Sequence, residues 1–514
     1  MPAQPTTPWD RRVQFRGAAG ADAFAYRPNQ ILTTRDALEV IAQRLGLDPD
    51  VLVRTATTVV SAAPYRPTKD QEAPAPERLP GDIVRVGGIP DPIALASELR
   101  ARGFVARPNH VLFSHPIGRA SAGGNPYPTG NPYPTGNPYP TGNPYPGSHP
   151  QGCCCGGPQC GVWTGQIVAP RESTASPAIT PSEDELAQRS MRDGRRCRVL
   201  ILDTGGGVDI RRAGADAPDP DSPAARAIEM LERCIVPQPD PDPNIEADPW
   251  DGDGNRMLDP AGGHGTFIAG IFANLAPGSE VTCIRAVSSY GDTDDGQIAA
   301  LLDEHFADDG SGTPPFDLVV MSFGGFVQDD DPPIAIAAAI SKIHARYNGA
   351  DSTDGNLIRD RVSFVASAGN DASCRPTWPA SFENVIAVGA LGPNGPAWFT
   401  NWGPWVNACA PGVDVVSTFF DIGAGACHDG EDFDGWAKWS GTSFSGPIVA
   451  ASIAWEWMNG RQQVVVREPN GAVVSDDDGK PVMRDRRIGD AAAWLLDRPG
   501  HFRLPGLGTV VNTP

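Results

Sequence analysis

Long apolar runs are missing from this sequence of 514 residues. No segment reaches the roughly 18 consecutive apolar residues of a membrane-spanning helix. The first residues, MPAQPTTPWDRRVQFRGAAGADAFAY, lack the apolar core of a signal peptide. Cysteine is also scarce, because 10 cysteines in a chain of this length are far too few for a disulfide-rich secreted scaffold. We therefore predict a cytoplasmic protein without a membrane partner, with export by an unusual route as the alternative.

Basic residues are outnumbered by acidic ones. The chain has 41 Lys and Arg against 62 Asp and Glu, which gives a formal net charge of −21. Nucleic acids and anionic membrane surfaces require a basic face, so the charge argues against both as partners. Glycine (58) and proline (53) are abundant. This composition indicates folded domains joined to Pro/Gly-rich segments.

The N-terminal quarter contains a short lead and a small domain. We predict a disordered lead over residues 1–25 and a small α+β domain over 26–118. Within the domain, TTRDALEVIAQRLG and DPIALASELRARGF have the apolar spacing of amphipathic helices, and GDIVRVGG and NHVLFSH are typical of strands.

A low-complexity linker is predicted over residues 119–185. The motif NPYPTG occurs three times from Asn125, and a fourth copy ends in NPYPGS. Its prolines favour an extended spacer, with a docking ligand for a protein partner as the alternative. The following CCCGGPQC (Cys153 to Cys160) matches no zinc spacing well, so we favour a mobile, oxidation-prone loop over a metal site.

The remaining residues, 186–514, change character. Short Val- and Ile-rich runs such as CRVLILD, FDLVVMSFGG, VSFVASAGN and NVIAVGAL alternate with helical stretches. Buried strands that alternate with helices predict an α/β domain with a mostly parallel sheet. In such sheets, functional side chains collect beyond the carboxyl ends of the strands.

Three polar residues stand at element ends in this domain. Asp203 ends the run VLILD, and His264 precedes the apolar helix face of GGHGTFIAGIFANLAPG. Ser443 precedes a helix with no charged residue between Gly446 and Trp455. Pro447 is tolerated only in the first turn, so this helix begins beside Ser443. Taken singly, each residue has an ordinary interpretation as a turn or cap residue.

Together the three residues have the functional groups of nucleophilic acyl transfer. Ser443 would attack, His264 would take and return the proton, and Asp203 would hold the imidazole in tautomer and orientation. The tetrahedral oxyanion also needs hydrogen-bond donors, and Asn370 at the end of FVASAGN could supply its amide.

Five segments resemble, in order, the signature blocks of the subtilisin-like serine proteases: ILDTGGGVD, GHGTFIAGI, VVMSFGG, ASAGN and GTSFSGPIVAA. The resemblance covers about residues 190–514. It implies a doubly wound, mostly parallel sheet and a serine endopeptidase acting on polypeptides. It implies Asp203, His264 and Ser443 as the triad and Asn370 as the oxyanion donor.

The resemblance also implies two extended walls that pair with the substrate backbone. These are Ser322, Phe323, Gly324 and Gly325, and Ser367, Ala368 and Gly369. Two residues depart from the family pattern: Phe267 stands where a second His is usual, and Phe444 follows the nucleophile where Met is frequent. We therefore expect different packing beside the pocket.

No cofactor is expected for the chemistry, but a structural calcium ion is one hypothesis. DGDGNRMLD places Asp251, Asp253, Asn255 and Asp259 at an alternating oxygen spacing, and members of the family often bind calcium. The segment lacks the Gly and the closing Glu of an EF-hand at their positions. A solvated acidic loop is the alternative.

The role of the small N-terminal domain has two interpretations. Its size and its place before a linker resemble the pro-regions that assist folding and inhibit these proteases. A permanently attached sensor or docking domain is the second. A rival function for the whole chain is a catalytically silent scaffold of subtilisin fold, acting through this domain and the NPYP repeats.

Overall fold

The computed structural model describes most of the two folded regions. The described residues are 13–16, 23–61, 81–114, 171–172, 196–208, 210, 218–236, 248–252, 254, 258–348, 360–422, 433–466, 472–497 and 500–511. The NPYPTG repeats, Cys153 to Cys160, Asp253 and Asn255 lie outside them. Of the predicted linker, Arg171–Glu172 is described.

The N-terminal region forms an antiparallel sheet with helices on one face. Its strands are β1 (Gln14–Arg16), β2 (Phe24–Thr34), β3 (Thr57–Val60), β4 (Ile83–Val86) and β5 (Ala106–Ser114), in the order β5-β2-β4-β3 with β1 beside β2. Its helices are α1 (Leu38–Leu45), α2 (Pro49–Thr55) and α3 (Pro92–Ala101). The apolar faces of α1 and α3 bury Ile41 and Leu99 against Ile31 and Val84 of the sheet.

The predicted disorder of residues 1–25 is wrong for the segment that forms β1. Gln14, Phe15 and Arg16 pair with Tyr26, Ala25 and Phe24. The preceding Val13 is buried in an apolar cluster with Val111 and Phe113. This contact is long-range, so the local composition of the lead gave no sign of it.

The second region is built on a parallel sheet. Its parallel strands lie in the order β8-β7-β10-β12-β13-β15-β21. They span β7 (Arg198–Asp203), β8 (Glu280–Arg285), β10 (Leu318–Met321), β12 (Ser363–Ser367), β13 (Val385–Gly392), β15 (Ala408–Pro411) and β21 (Gly508–Val510). Antiparallel additions are β14 (Gly395–Pro396) and β20 (Arg503–Leu504). The mostly parallel sheet predicted from the apolar runs is confirmed.

Helices cover both faces of this sheet. They are α4 (Pro223–Glu232), α5 (His264–Leu275), α6 (Asp295–His305), α7 (Ile334–Ile343), α8 (Thr442–Asn459) and α9 (Ile488–Leu496). Side chains alternate along each strand, so Val199 and Ile201 of β7 pack in the cluster of α5 and α8. Leu200 and Leu202 pack in the cluster of α6 and α7. Helix α8 is buried from Thr442 through Ala454 because it crosses the core, which explains why this part of the helix has no charged residue.

Smaller sheets complete the described part. Strands β16 (Val415–Ile422) and β17 (Phe433–Trp439) pair with each other and with β6 (Arg171–Glu172). Near the C-terminus, β18 (Gln463–Val465) and β19 (Met483–Asp485) form an antiparallel pair. No helix in the described ranges is both long and apolar enough to cross a membrane.

Strand β5 joins the two regions. Beyond the small sheet it lies between two short strands of the second region, β9 (Asp292–Asp294) and β11 (Phe323–Gly324), and pairs antiparallel with both. The open face of the small sheet packs on α6 and α7, with Leu32, Val59 and Leu112 in one cluster with residues of these helices. The N-terminal sheet is thereby continuous with strands of the second region.

Candidate active site

The carboxyl edge of the parallel sheet brings Asp203 and His264 together. Asp203 is the last residue of β7, and His264 is the first residue of α5. Their side chains are fully buried, and His264 Nδ1 lies 2.7 Å from Asp203 Oδ1. The Thr204 backbone N–H donates to the same oxygen at 2.8 Å. Because the carboxylate accepts a hydrogen bond from Nδ1–H, Nε2 is the nitrogen available for proton transfer.

A close backbone approach makes this pairing possible. The Thr204 hydroxyl accepts a hydrogen bond from the Gly265 N–H at 2.8 Å. A Cβ on Gly265 would lie 1.8 Å from the Gly205 carbonyl oxygen, well inside van der Waals contact. Only glycine therefore allows the start of α5 to rest on the turn after β7.

Ser443 lies in the first turn of α8 and is fully buried. Its hydroxyl donates to the Ser322 carbonyl at 3.0 Å, and the Ser322 hydroxyl donates to the Ser443 carbonyl at 3.0 Å. Among the described residues, His264 Nε2 has no hydrogen-bond partner. The structure thus forms the Asp–His link, while the Ser443 hydroxyl is turned toward Ser322. Catalytic hydrogen bonds often form only when substrate is bound.

The side chain of Asn370 is held by Thr442, the residue before Ser443. Its Oδ1 accepts from the Thr442 N–H at 3.0 Å and from the Thr442 hydroxyl at 2.9 Å. Only the amide oxygen can accept these bonds, so the amide nitrogen points away from Thr442. Asn370 is half-buried at the start of α8, whose N-terminus favours negative charge.

The first predicted wall is paired, but with the protein's own strand. Phe323 and Gly324 form β11 and pair with Ser114 and Phe113 of β5. Gly325 exchanges hydrogen bonds with Trp378 at 2.9 and 3.0 Å. The position that the resemblance assigns to substrate backbone is therefore occupied by β5.

In the second predicted wall, Ser367 to Gly369, the backbone groups of Ala368 and Gly369 make hydrogen bonds within the domain. Ala368 N–H donates to Val388 O, and Gly369 O accepts from Asn401 N–H. Gly369 N–H donates to the Thr442 hydroxyl, and Ala368 O accepts from the Asn401 amide. The N–H groups of Ala368 and Gly369 are therefore already used within the domain, and a substrate could pair only with the second lone pair of each carbonyl. The role of this wall stays a prediction.

The two departures from the family pattern lie together behind His264. The rings of Phe267 and Phe444 are 4.5 Å apart, and the Trp439 ring lies 5.8 and 5.4 Å from them. The His264 imidazole packs edge-on against Trp439 at 5.6 Å and against Phe444 at 5.4 Å. The sequence indicated altered packing here, but it gave no sign that Trp439 takes part.

Asp248 is a site residue that sequence reasoning missed. Its carboxylate accepts from the Gly263 N–H at 3.0 Å and from the Thr266 N–H at 2.9 Å, at the N-terminus of the helix that carries His264. Burial raises its pKa to about 6, although hydrogen bonds from Thr266 and Gly263 oppose the shift. Asp248 lies in an acidic, Pro-rich stretch, where one more Asp gave no signal.

The candidate calcium loop is described in part. Asp251 accepts from the Gly254 N–H at 2.7 Å, and Asp259 accepts from the Gly252 N–H at 2.7 Å. The all-oxygen donor set suits a hard cation. Within the described residues, however, no three carboxylate, imidazole or thiol side chains come together as a metal site. Calcium binding stays a prediction, since Asp253 and Asn255 are outside the described ranges.

Parts of this chain are similar to known proteins. A model described as "Subtilase family" matches residues 108–463. A thermophilic serine proteinase of Bacillus sp. (strain AK1) is 31% identical over 218 residues, which are 40% of this chain and 45% of that protein. A cuticle-degrading serine protease of Arthrobotrys oligospora is 30% identical over 214 residues, 40% of this chain and 43% of that protein.

The chain spans less than half the length of these curated relatives. Among solved structures, a mutant of the protease domain of PatA matches with a TM-score of 0.40 and 19% identity, covering 63% of this chain and 95% of that one.

Proposed function

The chain belongs to the subtilase family, and on that premise we propose that it is a serine endopeptidase that forms an acyl-enzyme intermediate. The carrying observation is the buried Asp203–His264 pair at the carboxyl edge of the parallel sheet, in a domain whose central buried helix starts at Ser443. The polypeptide substrates are part of the same proposal.

In the proposed reaction, the Ser443 hydroxyl turns from Ser322 O toward His264 Nε2. Nε2 takes the proton as Oγ attacks the substrate carbonyl, and Asp203 stabilises the imidazolium that forms. The Asn370 amide and backbone N–H groups in the first turn of α8 stabilise the oxyanion. His264 then gives its proton to the leaving amine, and water repeats the sequence on the acyl-enzyme.

We also propose that the domain predicted over residues 26–118 inhibits this site. Three observations support it: β5 fills the groove between β9 and β11, it pairs with both strands, and the triad side chains have no solvent exposure with β5 in place. Strand addition of this kind supplies affinity through main-chain hydrogen bonds.

The test is labelling of the full-length protein with a fluorophosphonate beside the Ser443→Ala variant, followed by intact-mass analysis. We expect one adduct on the wild type and none on Ser443→Ala. Ser445→Ala is the matched control, since this hydroxyl on the same helix donates to Pro411 O, and it should label as the wild type does. If N-terminal mass is lost from the proteins that label and not from Ser443→Ala, the N-terminal domain is a self-cleaved pro-domain.

Absence of labelling, also after limited proteolysis of residues 119–185, would contradict the enzyme proposal and favour the silent scaffold.

Two further proposals rest on the sequence alone. The first is that Asp251, Asp253, Asn255 and Asp259 bind structural calcium. It is checked by comparing the melting temperature in calcium with that in a chelator, for the wild type and for Asp253→Asn. The second is a cytoplasmic location, which cell fractionation of the native producer measures.

A further inference from the structure

Two carboxylates lie side by side on the groove strand β9. Asp292 and Asp294 are two residues apart on the strand, so their side chains share one face. They are 3% and 5% exposed. Arg27 of β2 reaches both, with Nη1 2.7 Å from Asp292 Oδ2 and Nε 2.8 Å from Asp294 Oδ2.

The N-terminal domain supplies this positive charge. Buried carboxylates need a partner, because removing them from water without one is costly. Burial by itself would lower the pKa of Arg27, but Asp294 and Asp292 outweigh it and the pKa is raised. The Asn109 amide, also from the N-terminal domain, donates to Asp294 at 3.1 Å. When this domain leaves the groove, both carboxylates lose the Arg27 charge and Asp294 also loses Asn109. The Ser288 hydroxyl still donates to Asp292 and the Gln297 N–H to Asp294, but neither donor is charged.

The register of β5 shows which residues of a bound strand would face the pair. Val111 lies opposite Asp294, and Phe113 lies opposite Asp292. Directly opposite residues of an antiparallel pair project to the same face, so positions 111 and 113 share the face of the carboxylates. Strand β5 has apolar side chains there and relies on Arg27 of the neighbouring β2.

The direction of β5 places these positions on the acyl side of the reaction. Ser114 pairs with Phe323, and the preceding Ser322 accepts the hydrogen bond of the Ser443 hydroxyl. The C-terminal end of β5 therefore lies nearest to Ser443, as does the acyl part of a substrate that precedes the cleaved bond. A single extended substrate has no second strand that could carry an arginine, so the compensating charge has to come from its own side chains.

We propose that Asp292 and Asp294 select substrates with Lys or Arg at one or both of the positions that Val111 and Phe113 occupy. This inference rests on the proposed peptidase function, whose substrate class it specifies. Arg27 acts as the built-in substitute for the basic substrate side chain.

The test compares two fluorogenic peptides based on residues 108–114, with either Arg or Gln at positions 111 and 113. The full-length protein is used, because the ratio of two kcat/KM values does not depend on the fraction of molecules with an open groove. Hydrogen bonds to charged groups are strong enough to give a preference of roughly 10-fold or more for Arg. The double variant Asp292→Asn, Asp294→Asn should bring the ratio to about 1.

Asp303→Asn is the matched control. This carboxylate also contacts the N-terminal domain, through the Ser61 N–H at 3.2 Å, but it lies on α6 outside the groove strand. It should change absolute rates at most and leave the Arg/Gln ratio intact. If the double variant does not fold, the Arg/Gln ratio of the wild type is measured in low salt and in 1 M salt. The ratio should be smaller in 1 M salt, because salt screens the attraction between the carboxylates and the Arg peptide.

A wild-type ratio near 1 overturns the inference, as does a preference that survives in the double variant or in high salt. If neither peptide is hydrolysed and Ser443 is not labelled, the peptidase proposal fails by itself. Fluorescence anisotropy then measures the binding of the same two peptides to Ser443→Ala. Tighter binding of the Arg peptide that is lost with Asp292→Asn and Asp294→Asn supports the inference. Equal or absent binding overturns it.

Discussion

At the scale of single residues, Thr442 connects helix α8, which carries Ser443, to Asn370, the proposed oxyanion donor. Its hydroxyl accepts from the Gly369 N–H at 3.1 Å and donates to Asn370 Oδ1 at 2.9 Å. The amide of Asn370 is thus oriented before substrate arrives. Preorganised donors of this kind stabilise the transition state more than the ground state.

Replacing Thr442 by Val keeps the shape of the side chain and removes the hydroxyl. We expect kcat to fall about 10-fold with little change in KM, because the Asn370 amide, the proposed oxyanion donor, becomes less well oriented. Steady-state kinetics on a fluorogenic peptide measures both constants. Ser445→Ala is the control on the same turn and should retain kcat. A rise in KM at constant kcat would show that Thr442 acts on substrate binding instead.

The residues that could be predicted are those with a local sequence signal. Asp203 and Asn370 end apolar runs, His264 and Ser443 stand at the start of apolar helices, and chain order related the four to one proposed mechanism. Trp439 and Asp248 have no such signal, because a tryptophan in a strand and an aspartate among prolines are ordinary. Their contacts with the His264 region exist only after folding.

At the scale of elements, Asp295 ties α6 to α7. It is the first residue of α6 and is fully buried. Its carboxylate accepts from the first-turn N–H groups of α7, Ile336 at 2.8 Å and Ala335 at 3.2 Å. Burial raises its pKa to about 7, and the hydrogen bonds from Ile336 and Ala335 only partly oppose the shift.

This raised pKa predicts a definite sign for the pH dependence of stability. The folded state favours the protonated acid relative to the unfolded chain, whose carboxyl has an ordinary pKa near 4. The contribution of Asp295 to the free energy of unfolding is therefore greatest below about pH 4 and is lost as pH rises toward 7. Asp295→Asn does not titrate, so its melting temperature relative to wild type should improve between pH 5 and pH 8.

Thermal unfolding in the Ser443→Ala background avoids self-digestion and measures that difference at both pH values. Leu302→Ala on the same helix is the control, since it removes a fully buried apolar side chain and no titratable group. Its melting-temperature loss should be the same at pH 5 and pH 8. If the melting-temperature difference between Asp295→Asn and the wild type is also the same at pH 5 and pH 8, the raised pKa of Asp295 is refuted.

The alternation of strands and helices in residues 186–514 could be predicted because the parallel strands β7, β10, β12 and β13 are apolar runs long enough to be recognised. Strands β9 and β11 could not. They have three and two residues, too few for any periodicity, and they exist as strands because β5 pairs with them. The sequence indicated β5 itself, but which strands it would join depends on the folded arrangement of both regions.

At the scale of the whole molecule, the N-terminal domain is attached by contacts of different kinds. Lys342 Nζ donates to Ser61 O at 2.8 Å, and Arg375 Nη1 donates to Ala23 O at 2.6 Å. Apolar contact is supplied by Leu112 of β5, which is fully buried in one cluster with Ile298 and Phe323. Main-chain pairing with β9 and β11 adds to these, so release of the domain has to break all of them together.

Leu112→Asp tests whether this attachment limits access to Ser443. A buried, unpaired carboxylate costs several kcal/mol, and about 1.4 kcal/mol already corresponds to a factor of 10 in the open population. We expect fluorophosphonate labelling of Ser443 to become at least roughly 10-fold faster than in the wild-type chain. Leu47→Asp places the same charge at a position of the same domain that is 46% exposed, and it should label at the wild-type rate. If wild type and both variants label equally fast, β5 does not control the site. If Leu112→Asp alone is accelerated, occupation of the groove by β5 is the step that restrains the enzyme.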